Sequence, residues 1–197
     1  DGDGLEDVVT GNGSDHGVSL LLNPGDGTLS RPRTLFVEEY IESVSPADID
    51  ADGDLDIVAT DPEGGNLLVF ENEDGFFAPR GSFLSGEQAF MVATGDMDGD
   101  GDPDAVVANA SADDISVLFN DGTGQFSQKT RTAVGSRPVA VALADLNGDG
   151  RLDVSVANSV SREVMVFPAG AGGTLEAGTT YFSPGAALYV TAADLDG

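Results

Sequence analysis

The amino-acid sequence predicts an all-β fold built from a repeated unit, and three observations support this prediction. An acidic segment, DIDADGDLDIV from Asp48, returns in altered form as DMDGDGDPDAV from Asp96 and as DLNGDGRLDVS from Asp145. Short β-branched runs flank each of these segments. No apolar pattern with the period of a helix persists for three turns, and Gly or Pro interrupts the chain about every ten residues.

Each repeat contains four predicted strands, named A to D in chain order. Strand A is the apolar stretch before the acidic segment, such as VAVALA, and strand B is the β-branched run after it, such as AVVAN. Strand C is the second apolar run, such as ISVLFN, and strand D is a more polar segment, such as FSQKTRTAV, that follows a Gly-rich turn. Connections of hairpin length predict that these strands are antiparallel neighbours.

Four antiparallel strands in each repeat of this length are typical of a β-propeller blade, in which strand A is innermost and strand D is an exposed edge. The charges follow this arrangement, because strand A is almost free of charge. Strand D carries Arg31, Arg33, Arg80, Lys129 and Arg131, and such charges protect an outer edge from aggregation. The sequence is therefore predicted to form a single, partial β-propeller domain over residues 1–197.

The repeat predicts blades over residues 1–37, 41–84, 88–134 and 137–183, with 186–197 as the first strand of a further blade. The first of these ranges holds only strands B to D. Both ends of the chain fall inside an acidic segment, so we expect an open arc of a larger propeller rather than a closed four-bladed ring. The exposed flanks of such an arc would favour self-association.

The composition excludes several classes of function. A net charge of −27 with eight basic residues disfavours nucleic acids and anionic membranes, which are bound through Lys and Arg. The chain has no cysteine, which removes disulfides, thiolate metal sites and cysteine nucleophiles. No hydrophobic run is long enough to cross a bilayer, so membrane insertion is not expected.

The acidic segments have the residue types of a metal-binding loop. Asp or Asn occupies positions 1, 3 and 5, Gly occupies position 6 and Asp occupies position 9, so oxygen atoms converge where the glycine allows a sharp turn. This is the chemistry of a hard cation, and Ca²⁺ is the first choice. An EF-hand loop would need Glu at position 12, where this chain has Ala59, Val107 and Val156. Turns without a metal are the alternative, but five neighbouring carboxylates would repel one another.

The repeat unit, with DLNGDGRLDVSVAN followed by VFPAG and GTL, resembles the FG-GAP and VCBS repeats of integrin α-chain-type propellers. The resemblance covers all 197 residues and implies a seven-bladed parent propeller. It also implies one Ca²⁺ in each of the three complete loops, bound by side chains at positions 1, 3, 5 and 9 and by the backbone carbonyl at position 7. The implied ligands are Asp48, Asp50, Asp52, Asp54 and Asp56; Asp96, Asp98, Asp100, Asp102 and Asp104; and Asp145, Asn147, Asp149, Arg151 and Asp153. Partial loops at the chain ends contain Asp1, Asp3 and Asp7, and Asp194 and Asp196.

No catalytic constellation is visible in the sequence, so the protein is not expected to be an enzyme. His16 is the only histidine, and the chain lacks a GxSxG motif and a phosphate-binding glycine loop. Four residues that stand five places after position 9 are interpreted as turn residues that bond their own backbone. They are Asn12, Asp61, Asn109 and Asn158, and the sequons at Asn12 and Asn109 are interpreted as accidental matches.

A recognition surface is predicted on the face opposite the acidic loops. The A–B and C–D turns of a propeller share one face, which leaves the D–A and B–C turns on the other. Candidate residues there are Tyr40, Glu42, Asp61, Glu63, Gln88, Phe90, Asp113, Asp114, Arg137, Arg162 and Tyr189. We expect a secreted or cell-surface, calcium-stabilised module that binds a protein or glycan in adhesion. The alternative is a propeller-type polysaccharide lyase or hydrolase, or a non-catalytic propeller attached to such an enzyme.

Overall fold

The computed structural model describes residues 3–35 and 37–195. Within these residues fifteen strands form four antiparallel sheets, named I to IV, and the strands of each sheet lie side by side in chain order. The helical structure in this part of the chain is limited to one 3-10 turn, Ala171–Gly173. The predicted all-β fold, with blades of four antiparallel strands, is therefore confirmed.

The strands fall on the predicted apolar runs. Sheet I contains β1 (Val8–Gly11), β2 (Val18–Leu21) and β3 (Arg33–Leu35). Sheet II contains β4 (Ser43–Ala47), β5 (Asp56–Asp61), β6 (Asn66–Glu73) and β7 (Phe76–Leu84). Sheet III contains β8 (Ala89–Gly95), β9 (Asp104–Asn109), β10 (Asp114–Asn120) and β11 (Phe126–Ala133). Sheet IV contains β12 (Pro138–Ala144), β13 (Asp153–Asn158), β14 (Glu163–Phe167) and β15 (Thr179–Phe182).

In each four-stranded sheet the second strand is the most buried, and the innermost strand is less buried than the second. Strands β5 and β9 are buried along their whole length, whereas every residue of β15 is exposed. Sheets II and III each have a neighbouring sheet on both faces, so neither face of β5 or β9 contacts solvent. This explains why their sequences are continuous apolar runs instead of the alternation typical of half-buried strands.

The hydrophobic core consists of separate layers, each shared by two neighbouring sheets. Sheets I and II share a cluster that includes Val18 and Phe70, and sheets II and III share one that includes Ile49 and Val107. Sheets III and IV share a third cluster, which includes Met97. Apolar burial is the main favourable term in folding, so each blade depends on its neighbours for stability.

The segment after β15 differs from the prediction. A first strand was expected over 186–197, but no strand forms between 183 and 195, and Asp196 and Gly197 lie outside the described residues. Ala187 instead packs against Ala140 and Ala157 of sheet IV. A strand A pairs with the strand B that follows its own loop, and the described chain contains no such partner after 187. That this segment begins a further blade stays a prediction.

Across residues 3–35 and 37–195, no helix has the length and apolar character that crossing a membrane requires.

Candidate metal centres

Three acidic loops connect the first and second strands of sheets II, III and IV. We name them loop 1 (48–56), loop 2 (96–104) and loop 3 (145–153). The glycine at position 6 has a positive φ in each loop, which L side chains rarely adopt: Gly53 (100°), Gly101 (99°) and Gly150 (84°). Its N–H donates to the carboxylate at position 1 over 3.2, 3.1 and 2.9 Å respectively. Each loop therefore folds back on its first aspartate.

The aspartate at position 9 begins the second strand and is buried in all three loops. One of its carboxylate oxygens accepts the N–H of position 2, and the other accepts an N–H sixteen residues further on, at or just beyond the end of the third strand. The six bonds are between 2.7 and 3.1 Å long and join Asp56 to Ile49 and Asn72, Asp104 to Met97 and Asn120, and Asp153 to Leu146 and Ala169. Position 9 therefore ties the loop to the third strand.

Sequence reasoning treated position 9 as a metal ligand and missed this structural role. Buried backbone N–H groups are almost always paired, and here a side chain supplies their acceptor. The signal that could have revealed it is the asparagine at the end of strand C in the first three repeats, Asn23, Asn72 and Asn120. Asp7 makes the corresponding bond in sheet I, where it accepts the N–H of Asn23 at 2.8 Å.

Two of the loops gather three carboxylates within a small volume. In each group one oxygen per residue lies within 4.8 Å of the others, and the groups are Asp48, Asp50 and Asp56, and Asp96, Asp98 and Asp104. In loop 1, Oδ1 of Asp48 and Oδ1 of Asp50 are buried and accept no hydrogen bond. Clustered carboxylates repel one another and are costly to bury unless a cation is present. The chemistry of these oxygen donors therefore fits a hard metal ion.

Burial also changes the acidity of these groups. It raises the pKa of Asp104 to about 6, although the backbone N–H groups of Asn120 and Met97 act to lower it. The nearby charges of Asp98 and Asp100 add to the increase. Burial likewise raises the pKa of Asp56 and of Asp50 above the ordinary value. Burial therefore makes the ionised form of these carboxyl groups less favourable than it is in water, and a nearby cation would offset that cost.

The predicted ligands at positions 5 and 7 are arranged differently. Asp52 and Asp100 are exposed and lie outside the two groups of carboxylates. Their Oδ1 atoms accept the N–H groups of Asp54 and Asp102, at 2.9 and 3.0 Å. The aspartate at position 5 therefore shapes the second half of the loop.

Arg80 is a functional neighbour of loop 1 that sequence reasoning missed. It lies on β7 and was interpreted as an edge charge, but its guanidinium pairs with Glu71 and has Nη1 3.9 Å from Oδ2 of Asp50. Nη2 also donates to the carbonyl of Thr123, in the C–D turn of sheet III, at 2.5 Å. No local sequence pattern connects positions 50, 71 and 80, so this contact could not be predicted without the three-dimensional fold.

Loop 3 contains several hydrogen bonds between its side chains and its own backbone. The Asp145 carboxylate accepts three backbone N–H groups, from Gly148, Asp149 and Gly150, and these bonds hold its pKa below the ordinary value, Gly150 most of all. The Arg151 side chain, predicted only to supply its carbonyl, donates to Asp149 at 2.5 Å. Among the described residues, loop 3 contributes no group of three converging carboxylates.

The partial loops at the chain ends are only partly described. Oδ1 of Asp3 accepts the N–H of Leu5 at 2.9 Å, and Asp194 follows the irregular segment after β15. Asp1 and Asp196 lie outside the described residues. Whether these residues take part in a metal site stays a prediction.

On the opposite face, five of the predicted recognition residues line one concavity. This cavity, of about 350 Å³, is lined by Tyr40, Glu42, Pro62, Glu63, Gln88 and Phe90. A hydrogen bond to Glu42 raises the pKa of the Tyr40 hydroxyl, and the charge of Glu63 adds to the increase. Two rings and two carboxyl groups therefore share one opening between sheets II and III.

Other predicted recognition residues have structural contacts. Asp113 accepts the N–H of Arg137 at 2.7 Å, and Asp114 pairs with Arg131 at 2.6 Å. Asp61 is buried and accepts the backbone N–H groups of its own turn, as predicted for that position. These contacts hold turns in place and leave the concavity as the more distinctive feature of this face.

Asn109 departs from the predicted turn role. It is buried, and its Nδ2 donates to Asp114 at 2.8 Å and to Ser116 at 2.9 Å, so it bonds side chains on β10 and not its own backbone. In the folded protein this amide is not accessible to a glycosylation enzyme. The Asn12 amide also has a structural partner, Ser19 at 3.0 Å.

Four-stranded blades with an acidic loop between the first and second strands define a repeat-type β-propeller. The chain belongs to the FG-GAP-like repeat family, whose pattern matches residues 1–59, 48–107 and 96–156. This confirms the FG-GAP part of the predicted resemblance. No curated protein matches the chain.

Solved structures with similar folds have low sequence identity. A lectin from Agrocybe aegerita that recognises non-reducing terminal N-acetylglucosamine is 21% identical, with a TM-score of 0.56, over 83% of this chain and 46% of its own. A candidate 6-phosphogluconolactonase from Bacteroides fragilis is 14% identical, with a TM-score of 0.59, over 93% and 69%. BBS1N, solved in complex with ARL6DN, is 17% identical, with a TM-score of 0.59, over 90% and 50%.

These similarities establish the fold only. The chain spans about half the length of the lectin and of BBS1N, with 46% and 50% of those chains covered.

Proposed function

We propose that this protein is a secreted, calcium-binding β-propeller that acts as an adhesion or binding module for a protein or glycan. The observation that carries the proposal is the convergence of three carboxylates in each of loops 1 and 2. The likeness of the loop sequence to integrin α-chain repeats supports the adhesion role. We propose no catalytic activity. The similarity to a candidate lactonase concerns the fold alone and gives no support for one.

Calcium is the cation that these loops suit best. Ca²⁺ accepts six to eight oxygen ligands in flexible geometry, whereas Mg²⁺ requires a near-ideal octahedron and keeps several waters. The loops offer carboxylates and backbone carbonyls on short glycine-containing turns, without nitrogen or sulfur donors. Zinc and copper are therefore disfavoured.

The affinity expected of such a loop supports a secreted location. Extracellular calcium modules bind with Kd of roughly 10⁻⁴ to 10⁻³ M, which matches calcium outside the cell and not in the cytosol. The net charge of −27 also lowers the affinity of the protein for nucleic acid and anionic lipid. We therefore propose that the protein works outside the cell and does not insert into membranes.

The calcium assignment is tested by titration of the chelator-treated protein. Isothermal calorimetry should give saturable Ca²⁺ binding with Kd of roughly 10⁻⁴ to 10⁻³ M and much weaker Mg²⁺ binding. A double variant, Asp48→Asn with Asp96→Asn, removes one charge from each group of carboxylates and should weaken Ca²⁺ binding strongly. Unchanged Ca²⁺ binding in this variant would contradict the assignment.

Ligand recognition is assigned to the cavity around Tyr40 and Phe90. Aromatic rings beside carboxyl groups suit sugar rings and protein side chains, because both combine apolar faces with hydrogen-bonding groups. Two structures with this fold offer precedents. The lectin recognises non-reducing terminal N-acetylglucosamine, and BBS1N was solved in complex with ARL6DN. These precedents support a protein or glycan ligand without choosing between them.

Recognition is tested by glycan arrays and by pull-downs from extracellular material. Tyr40→Ala and Phe90→Ala should each reduce binding of any ligand found, without changing calcium binding. Tyr181→Ala is the matched control, because this exposed tyrosine lies on the outer strand β15, away from the cavity. Equal loss of binding in all three variants would overturn the assignment of the site.

A further inference from the structure

Loop 3 differs chemically from the other two loops. Loops 1 and 2 each place aspartate at positions 1, 3, 5, 7 and 9, so five carboxylates fall within nine residues. Loop 3 has asparagine at position 3, Asn147, and arginine at position 7, Arg151. It therefore contains three carboxylates and one guanidinium, a far smaller excess of negative charge than in its two counterparts.

The Arg151 side chain lies across loop 3 and connects it to the rest of sheet IV. Its Nη2 donates to Oδ2 of Asp149 at 2.5 Å, and its Nε donates to the carbonyl of Ala169 at 2.8 Å. The N–H of Ala169 in turn donates to Oδ1 of Asp153 at 2.8 Å. One side chain thus joins position 5 of the loop to the residue that position 9 already binds.

The remaining oxygen donors of loop 3 are also occupied. Both oxygens of Asp145 accept backbone N–H groups, and Oδ1 of Asn147 accepts the N–H of Asp149 at 2.9 Å. The same backbone bonds occur in loop 2, where both oxygens of Asp96 accept N–H groups and Oδ1 of Asp98 accepts the N–H of Asp100 at 3.2 Å. Loop 1 differs, because its Asp48 and Asp50 each keep a buried oxygen that accepts no hydrogen bond. What distinguishes loop 3 from loop 2 is therefore the Arg151 guanidinium on Asp149 and the smaller number of carboxylates.

Arg80 does not neutralise the carboxylates of loop 1 in the way that Arg151 neutralises those of loop 3. Its guanidinium pairs directly with Glu71, so one positive and one negative charge approach the loop together. The closest atom of Arg80 remains 3.9 Å from Asp50. The five carboxylates of loop 1 thus keep their need for a cation.

We propose that Arg151 takes the place of a bound cation in loop 3, so that this loop folds without calcium while loops 1 and 2 require it. A guanidinium is always charged, and its planar array of N–H donors suits a carboxylate and a carbonyl at once. The inference rests on the proposed calcium function and revises the expected number of ions from one in each complete loop to one in each of loops 1 and 2.

The first test is the stoichiometry of calcium binding measured by isothermal calorimetry. The wild-type protein should bind two equivalents, and Asn147→Asp with Arg151→Asp, which restores the residue types of loops 1 and 2, should bind three. Asn147→Asp alone is the matched control and should still bind two, because Arg151 remains. Asp102→Arg should reduce the number to one by placing the same arginine in loop 2. Three equivalents in the wild type, or no gain in the double variant, would overturn the inference.

The second test does not depend on calcium binding. In EGTA, Arg151→Ala should raise amide hydrogen exchange in residues 145–153 by about fivefold and leave it unchanged in 96–104. Circular dichroism checks that the variant remains folded. If the wild type binds no calcium, the proposed function fails, yet this exchange experiment still decides the role of Arg151. Unchanged exchange in Arg151→Ala would refute that role.

Discussion

Loops 2 and 3 occupy the same place in consecutive blades, but only loop 2 is covered by a following blade. Its position 2 residue, Met97, is 2% exposed, whereas the corresponding Leu146 is 50% exposed. The C–D turn of sheet IV packs over loop 2, where a Cβ on Gly173 would lie 3.2 Å from Asp98 and 2.3 Å from Phe119. In this protein the next blade therefore completes the environment of loop 2.

Loop 1 supports the same conclusion. Its position 2 residue, Ile49, is 1% exposed, and its carbonyl accepts the Asn120 amide at 2.7 Å and the Gly124 N–H at 3.1 Å. Both donors belong to the end of strand C and the C–D turn in sheet III. Covered loops are therefore the ones in which three carboxylates converge, and the uncovered loop is the one closed by an arginine.

The largest expected effect tests what loops 2 and 3 share. In EGTA, Asp104→Ala should lower the free energy of unfolding by about 3 kcal/mol, because it leaves the two buried backbone N–H groups of Met97 and Asn120 without an acceptor. Asp153→Ala should lower it by less, about 2 kcal/mol, because its partner Leu146 is half exposed and water can replace the lost bond. Urea titration followed by circular dichroism measures both. Asp100→Ala is the control and should stay close to wild type without calcium. Wild-type stability of both variants in EGTA would show that position 9 acts through metal only.

Removal of calcium should separate the two loops. At calcium ten times above Kd, each bound ion stabilises the native state by about 1.4 kcal/mol, so EGTA should reduce the free energy of unfolding by about 3 kcal/mol if two sites fill. Hydrogen exchange should accelerate in residues 96–104 and change little in 145–153. Equal acceleration in both loops would remove the distinction between them.

The pH dependence should sharpen the contrast at Asp104. Its native pKa of about 6 exceeds the ordinary value near 3.9, so the native state binds this proton more tightly than the unfolded chain does. In EGTA the resulting stabilisation, roughly 3 kcal/mol, should be complete below about pH 4 and lost as the pH rises through about 6. The difference in unfolding free energy between wild type and Asp104→Asn measures it. Saturating calcium should suppress the trend, because the cation favours the ionised carboxylate.

The smallest effect concerns position 4. Loops 2 and 3 have Gly99 and Gly148 there, with φ of 87° and 76°, but loop 1 has Ala51 at 60°. Ala51→Gly should stabilise the protein by about 0.5–1 kcal/mol, because glycine adopts this backbone conformation without strain. Gly148→Ala is the reciprocal control and should destabilise it. Urea denaturation decides the sign, and a destabilised Ala51→Gly protein would contradict the expectation.

Much of the fold could be predicted because the information lies in short stretches of sequence. Strand B of each repeat is a local apolar run, and the turn at Gly101 needs only a glycine after alternating aspartates. A cation was predicted in loop 3 because Asn147 and Arg151 stand at positions 3 and 7 of the same repeated pattern. The structure brings the Arg151 side chain to Asp149 and Ala169, a contact that a pattern of residue types does not encode.

Contacts between blades were the least predictable part. The burial of Met97 depends on a turn more than seventy residues later, and the link from Arg80 to Thr123 joins two blades. Asn109 was assigned a local turn role, yet its partners lie across the B–C hairpin. In each case the chemistry of the side chain was visible in the sequence, and its partner was decided by packing.

The layered core also bears on how such a protein can evolve. Because the main apolar clusters lie between sheets, a single repeat excised from the chain would possess half of two interfaces and no interior of its own. Duplication of one repeat is then the smallest genetic event that adds a complete interface, since the new blade meets an old one through surfaces that already match. Selection on loop residues such as Arg151 can follow afterwards, one copy at a time.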